Sequence, residues 1–261
     1  MPPVPEAPMK RRSAPSQRYF DLVEALAGPG CPMCAILLQQ ADKLLQSILY
    51  ERWKDQPTHD AIRARQGLCS GHAYQLTQYR GNVQTVAIFY RSAVDEVVGI
   101  LDEMERSVPI GTGRRRRREA RSEGAVLAAR LAPRGPCIVC AALDETESRL
   151  VETMVEYFDD ARLRESYEAS DGLCLPHMQA VLAACDDRTM LRDLVAIQKR
   201  IWAQLRADVE AFIAKTREHS GDAIEPREAS SPSRAIRLMP GEHDLFGVDP
   251  RSAWRWLDGD D

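Results

Sequence analysis

Gly30-Cys31-Pro32-Met33-Cys34 and Gly67-Leu68-Cys69-Ser70-Gly71-His72 decide how this chain is read, because both stretches return about 105 residues later. The second copies are Pro136-Cys137-Ile138-Val139-Cys140 and Gly172-Leu173-Cys174-Leu175-Pro176-His177. The offset is 106 from Cys31 to Cys137 and from Cys34 to Cys140, and 105 from Cys69 to Cys174 and from His72 to His177. One deleted residue between the knuckles accounts for the difference. Six of the seven cysteines and two of the five histidines fall on this pattern, so the chain reads as an internal duplication.

The register extends outward from the knuckles. The apolar run Tyr19 to Ala27 precedes the first CxxC as Ala125 to Ala132 precedes the second. After Cys34, the residues Leu37, Leu38, Ala41, Leu44, Leu45, Ile48 and Leu49 recur at spacings of three and four, which predicts an amphipathic helix. Leu143, Leu150, Val151, Met154, Val155 and Phe158 follow Cys140 in the same way, with a polar interruption at Glu147. Each copy then passes through a polar segment to Gly-Leu-Cys, a short helix at CxxH, and a break at Gly81-Asn82 or Asp186-Asp187. Asn82 and Asp187 are suited to cap the long helices that follow. Val83, Val86, Tyr90, Ala93, Val97, Leu101 and Met104 mark the expected buried stripe of the first, and Leu194, Ile197, Ile201, Leu205 and Phe212 that of the second.

Composition agrees with an all-α fold of two tandem homologous helical repeats. The 261 residues are 44% apolar but only 6% aromatic, and the segments between breakers are rich in Ala, Leu, Glu and Arg. No apolar run is long enough to span a bilayer and the N-terminus lacks a signal-peptide core, so a cytoplasmic address is expected, with no membrane partner. Thirty of the 35 basic residues are Arg, a bias that reads as a GC-rich bacterial genome. The expected organisation is a disordered N-terminus over 1–16, repeat 1 over 17–106, an Arg-rich linker over 107–122, repeat 2 over 123–217, and a tail over 218–261. The segment from Ser107 to Gly135 holds eight Arg against Glu119 and Glu123, a net +6, so the rest of the chain carries −10 within the total of −4. In the tail, Ser220 to Ser233 reads as polar and helix-poor, and Trp254-Arg255-Trp256-Leu257 as a docking segment for the protein's own groove or for a partner.

Paired thiols in a reducing compartment point to metal or redox chemistry. Zn²⁺ takes four ligands in a tetrahedron, and a gap of two residues lets one knuckle offer two of them without backbone strain. The sequence therefore predicts two zinc sites built within the repeats. One comprises Cys31, Cys34, Cys69 and His72; the other comprises Cys137, Cys140, Cys174 and His177. Such closed sites leave no open coordination position, which makes them structural rather than catalytic. Ordinary buried cysteines are a competing reading. So are thiol redox chemistry, since Cys31-Pro32-Met33-Cys34 resembles the CPxC of thioredoxin-like enzymes, and an iron–sulfur cluster, for which three Cys and one His are a less usual ligand set. Haem c attachment is excluded, because Ala35 and Ala141 stand where CxxCH needs histidine.

No HExxH, P-loop, GxGxxG or GxSxG motif occurs, and no catalytic residue is assigned. His59, His219 and His243 read as surface residues, and Cys185 as a small buried thiol outside the ligand sets. Arg114, Arg115, Arg116, Arg117 and Arg118 could bind nucleic acid or another anion, although a solvated linker is the favoured reading, since the overall charge is −4 and no aromatics are interleaved.

The doubled Cys-Pro-x-Cys … Gly-Leu-Cys-x-x-His arrangement resembles an uncharacterised bacterial all-helical family, a domain of unknown function, over roughly residues 19–215. Ile138 departs from its pattern where proline is expected. The resemblance implies a helical fold with these knuckles and supplies no activity. From the residues, the expected function is a zinc-stabilised helical scaffold, regulatory or adaptor, acting on a protein partner. A thiol-based redox enzyme or sensor is the alternative, and nucleic-acid binding a third.

Overall fold

Two helices headed by CxxC pack against each other and carry much of the core. A computed structural model of the chain describes residues 14–107, 124–126, 128–218 and 223–242. The first half contains α1 (Gln17–Leu26), α2 (Pro32–Tyr50), α3 (Gln56–Ala64), α4 (Ser70–Leu76) and α5 (Val83–Ser107). The second contains α6 (Ile138–Tyr157), α7 (Ala161–Ala169), α8 (Leu175–Ala184) and α9 (Arg188–Glu218), followed by α10 (Pro226–Leu238). No strand occurs among the described residues. The series α2 to α5 recurs as α6 to α9, with the Asp side chains that cap α3 and α7 at the same offset. Asp55 accepts from Thr58 N at 3.0 Å, and Asp160 from Leu163 N at 3.1 Å.

The two halves interlock. Helix α2 packs on α6, and α1 packs on α2 but also on α6 and α7 of the other half. Tyr19 donates its hydroxyl to Asp160 Oδ1 at 2.6 Å, and Gly30 N donates to Asp171 Oδ2 at 2.9 Å. The reciprocal ties run the other way: Arg65 Nη1 donates to Gly135 O at 2.8 Å, and Arg134 N to Ala64 O at 3.2 Å. The apolar faces read from the sequence meet in one core. Met33, Leu37, Ala41, Leu45 and Leu49 of α2 lie in it with Leu150, Met154 and Phe158 of the second half. With each buried side chain of this size contributing about 1.5–3 kcal/mol, the shared core is what joins the halves.

Helix α5 departs from its expected stripe. Ala93 is buried, but Val83 and Leu101 are exposed, at 63% and 46%. The reason is its partner. Helix α5 packs against α3, and that contact buries Phe89, whose ring stacks on His59 with centroids 4.5 Å apart. His59 is accordingly a packing residue, not a free surface group, and its Nε2 lies 2.8 Å from Trp53 O.

Residues 226–233 of the stretch expected to be helix-poor belong to α10. Pro226 sits at its start, where a missing N–H is harmless. Glu225 and Glu228 form a reciprocal capping box, and Leu238 is buried. A charge network then fastens α10 to α9: Asp208 Oδ2 pairs with Arg227 at 2.8 Å and with Arg234 at 3.0 Å, and Lys215 pairs with Glu228 at 2.8 Å. Arg234 also reaches Asp171 at 3.2 Å, the carboxylate that holds Gly30.

Burial raises the Asp208 carboxyl, but hydrogen bonds from Arg227, Gln204 and Arg234 outweigh it and hold the group below its ordinary range. Its contribution is therefore complete above the unfolded value of about 3.9 and disappears as pH falls through the lower folded value. Asp208→Asn is expected to cost about 2 kcal/mol at neutral pH, less than a fully buried pair because Arg227 is exposed. The variant should also lose less stability than the parent between pH 7 and pH 3. Denaturant melts at both pH values check this, and equal losses in parent and variant would remove Asp208 from the account.

Candidate metal centres

All four knuckles begin a helix. Cys31, Cys69, Cys137 and Cys174 are the N-cap residues of α2, α4, α6 and α8, each in extended backbone conformation. Cys34, His72, Cys140 and His177 follow one turn inside. Helix N-termini favour negative thiolates there.

The glycines of Gly-Leu-Cys steer the chain into each CxxH. Gly67 and Gly172 have φ of 119° and 80°, and at Gly172 a Cβ would meet the Gln198 side chain at 2.7 Å. Gln198 is buried and clamps the next residue on both sides: its Oε1 accepts from Leu173 N at 3.0 Å, and its Nε2 donates to Leu173 O at 3.2 Å. Tyr167 donates its hydroxyl to the same Oε1. A side chain at 172 would displace this clamp and with it Cys174.

The pairing of the knuckles corrects the sequence expectation. Cys31 and Cys34 do not meet Cys69 and His72 of their own half. They gather with Cys174 and His177, while Cys69 and His72 gather with Cys137 and Cys140. Each quartet therefore takes its CxxC from one half and its CxxH from the other. The physical cause is the α2–α6 packing and the ties of Gly30 to Asp171 and of Arg65 to Gly135, which carry each CxxC to the opposite half's Gly-Leu-Cys.

Within the first quartet, His177 Nδ1 lies 3.4 Å from Cys31 Sγ, 3.4 Å from Cys34 Sγ and 3.1 Å from Cys174 Sγ, and Cys34 and Cys174 are 3.6 Å apart. In the second, His72 Nδ1 lies 3.1 Å from Cys69 Sγ, 3.7 Å from Cys137 Sγ and 3.4 Å from Cys140 Sγ, with Cys69 and Cys140 3.5 Å apart. In both quartets the four ligand atoms all lie within 4.8 Å of one another. A tetrahedron with metal–sulfur bonds of about 2.3 Å has edges of roughly 3.5–3.8 Å. The quartets thus have the size of a single-ion cage, and every cysteine is a free thiol.

Electrostatics within the quartets is that of groups competing for a shared positive charge. Burial raises the Cys31 thiol, but hydrogen bonds from Cys174, Cys34 and His177 override it and hold the group well below its usual range. Burial opposes charge on His177, yet Cys174 and Cys31 push the ring up to about 10. In the second quartet the hydrogen bond from Cys69 is the main cause that brings Cys137 down to about 3. Without an ion, one thiolate must lean on its neighbours' protons. A divalent cation would replace those protons and satisfy all the sulfurs together.

Cys185 belongs to neither quartet. It is partly exposed at the end of α8, where its Sγ lies 3.5 Å from Asp187 O. Glu147, the polar interruption in α6, carries no motif in the sequence, yet its carboxylate lies 3.4 Å from His177 Nε2. A lone acidic residue on an otherwise apolar face was its signal. Arg114 to Arg118, His219, His243 and the Trp254 to Leu257 segment lie outside the described residues. No helix among the described residues is long and apolar enough to cross a membrane.

Comparison with curated proteins and with solved structures returns no match. The sequence does match a family of unknown function (DUF6062) over residues 20–244. That span takes in both quartets, the helices that carry them and α10, and the chain belongs to this family.

Proposed function

We propose that this protein is a zinc-stabilised helical scaffold, a regulator or adaptor working through protein contacts, in which two structural ions clamp homologous halves together. One observation carries the reading: each Cys₃His quartet is closed and takes two ligands from each half. Three thiolates and an imidazole suit Zn²⁺. The close spacing of the ligand atoms favours one ion over an iron–sulfur cluster, whose cysteines bind separate irons and must stand further apart. Four protein ligands leave no coordination position for water or substrate, which supports a structural role. The partner is expected to be another protein.

Metal analysis of the purified full-length chain tests this. Two zinc ions per chain are expected, and fewer than about one per chain would overturn the reading.

A further inference from the structure

The two quartets share a ligand set but not their surroundings. In the first, Cys31 is 3% exposed and Cys34, Cys174 and His177 are 0% exposed. In the second, Cys137 and His72 are buried, but Cys69 and Cys140 are partly exposed, and their sulfurs lie 3.5 Å apart. The histidines differ as well. The Glu147 carboxylate lies at ion-pair distance, 3.4 Å, from His177 Nε2, whereas no carboxylate among the described residues pairs with the buried His72 Nε2. Ala41 is the tenth residue of α2, as Glu147 is the tenth of α6, so the first half has no carboxylate at the matching position. A carboxylate behind a ligating histidine orients the ring and strengthens binding, and losing one typically costs about 10–100-fold in metal affinity.

Resting on the zinc reading above, we propose that the second quartet is a redox-modification site at which a small peroxide joins Cys69 to Cys140 and releases the ion, while the first quartet keeps its own. The more accessible of the two sulfurs attacks one peroxide oxygen. The O–O bond breaks, leaving a sulfenic acid and a hydroxide that takes a proton from solvent. The second sulfur then attacks the first, and the S–O bond breaks. Its hydroxide is protonated in turn. Two thiolates are oxidised by two electrons, the peroxide is reduced to two waters, and two protons are consumed. Bond formation needs the sulfurs to close from 3.5 Å to about 2.05 Å. That shift is shared between two separate helix starts. The ion is left with Cys137 and His72 and dissociates as Zn²⁺.

The test uses the full-length chain after its zinc content has been measured, so that failure of the zinc reading is seen before any oxidant is added and counts against both. Hydrogen peroxide in modest excess is then supplied. Zinc release is followed with a colorimetric chelating dye, and the cysteines are mapped by differential alkylation and mass spectrometry. One of the two ions should leave at least about tenfold faster than the other, together with a Cys69–Cys140 cross-link and with Cys31, Cys34 and Cys174 still reduced. Cys185→Ser, which removes the remaining partly exposed thiol, should release zinc at the same rate. Simultaneous loss of both ions, first oxidation at Cys31, Cys34 or Cys174, or abolition of release by Cys185→Ser would each overturn the proposal.

Discussion

Expressed as two separate chains, residues 14–107 and 124–242 are expected each to leave both metal centres half-built, and to bind two zinc ions per pair once mixed. Each fragment keeps one CxxC and one CxxH, so its ligand count alone would permit one closed site. What it lacks is the opposite half that brings the two knuckles face to face. Helix α2 would lose α6, and α1 would lose both α6 and α7, leaving Leu22, Met33, Leu45 and other buried side chains without cover. At about 1.5–3 kcal/mol for each such side chain returned to water, three or four of them already cancel much of the 5–15 kcal/mol by which a domain is usually stable. Isolated fragments should therefore show depressed helicity and weak metal binding. Circular dichroism and zinc stoichiometry of each fragment, and of the equimolar mixture, check this. A monomeric fragment that holds one ion at full helicity would show that the knuckles can close within a half.

Removing one deeply buried ligand is the second large effect. Cys34→Ser is expected to empty the first quartet and to lower stability by on the order of 5 kcal/mol, a sizeable part of the roughly 10–16 kcal/mol that structural zinc contributes in small finger peptides. The serine would leave a hydroxyl at a site that is 0% exposed, where an unsatisfied polar group adds its own cost of about 1–3 kcal/mol. At 2–4 °C per kcal/mol for a chain of this size, the melting temperature should fall by roughly 10–20 °C. Cys185→Ser supplies the control, with a change of about 0.5 kcal/mol or less expected at a partly exposed thiol outside both quartets. Thermal melts paired with metal analysis separate the outcomes. A variant that melts with the parent, or that keeps two ions, would show that Cys34 is not a ligand.

The pairing of the halves shows how little the sequence constrains which knuckle meets which. Cys34 lies 35 residues from Cys69 and 140 from Cys174, its actual neighbour. A fourfold longer loop costs only about 1.2 kcal/mol in closure entropy, less than burying one leucine. Because both CxxH knuckles offer one cysteine and one histidine at the same spacing, spacing and ligand type do not choose between them, and proximity along the chain points to the wrong one. Helix α10 is illegible in the sequence for a different reason. Its composition is polar, and its stability comes from a capping box and from ion pairs to α9 and Asp171 that exist only once those groups are placed. The exposed end of α5 shows the converse, an apolar periodicity that local sequence supports but that its packing against α3 does not bury.

By itself, then, the sequence determined the helical class, the helix starts at the four knuckles, the eight ligand candidates and the exclusion of Cys185 from them. These follow from short-range rules: period 3.6, N-cap geometry, and the two-residue gap that a shared ion requires. Only the tertiary structure decided that each quartet is completed across the halves, that one is sealed and backed by Glu147 while the other stays partly open, and that the tail contributes a helix. Each of these depends on which surfaces meet, and between knuckles of the same ligand type that choice is made by the summed burial of the core, to which no single motif contributes enough to be read alone.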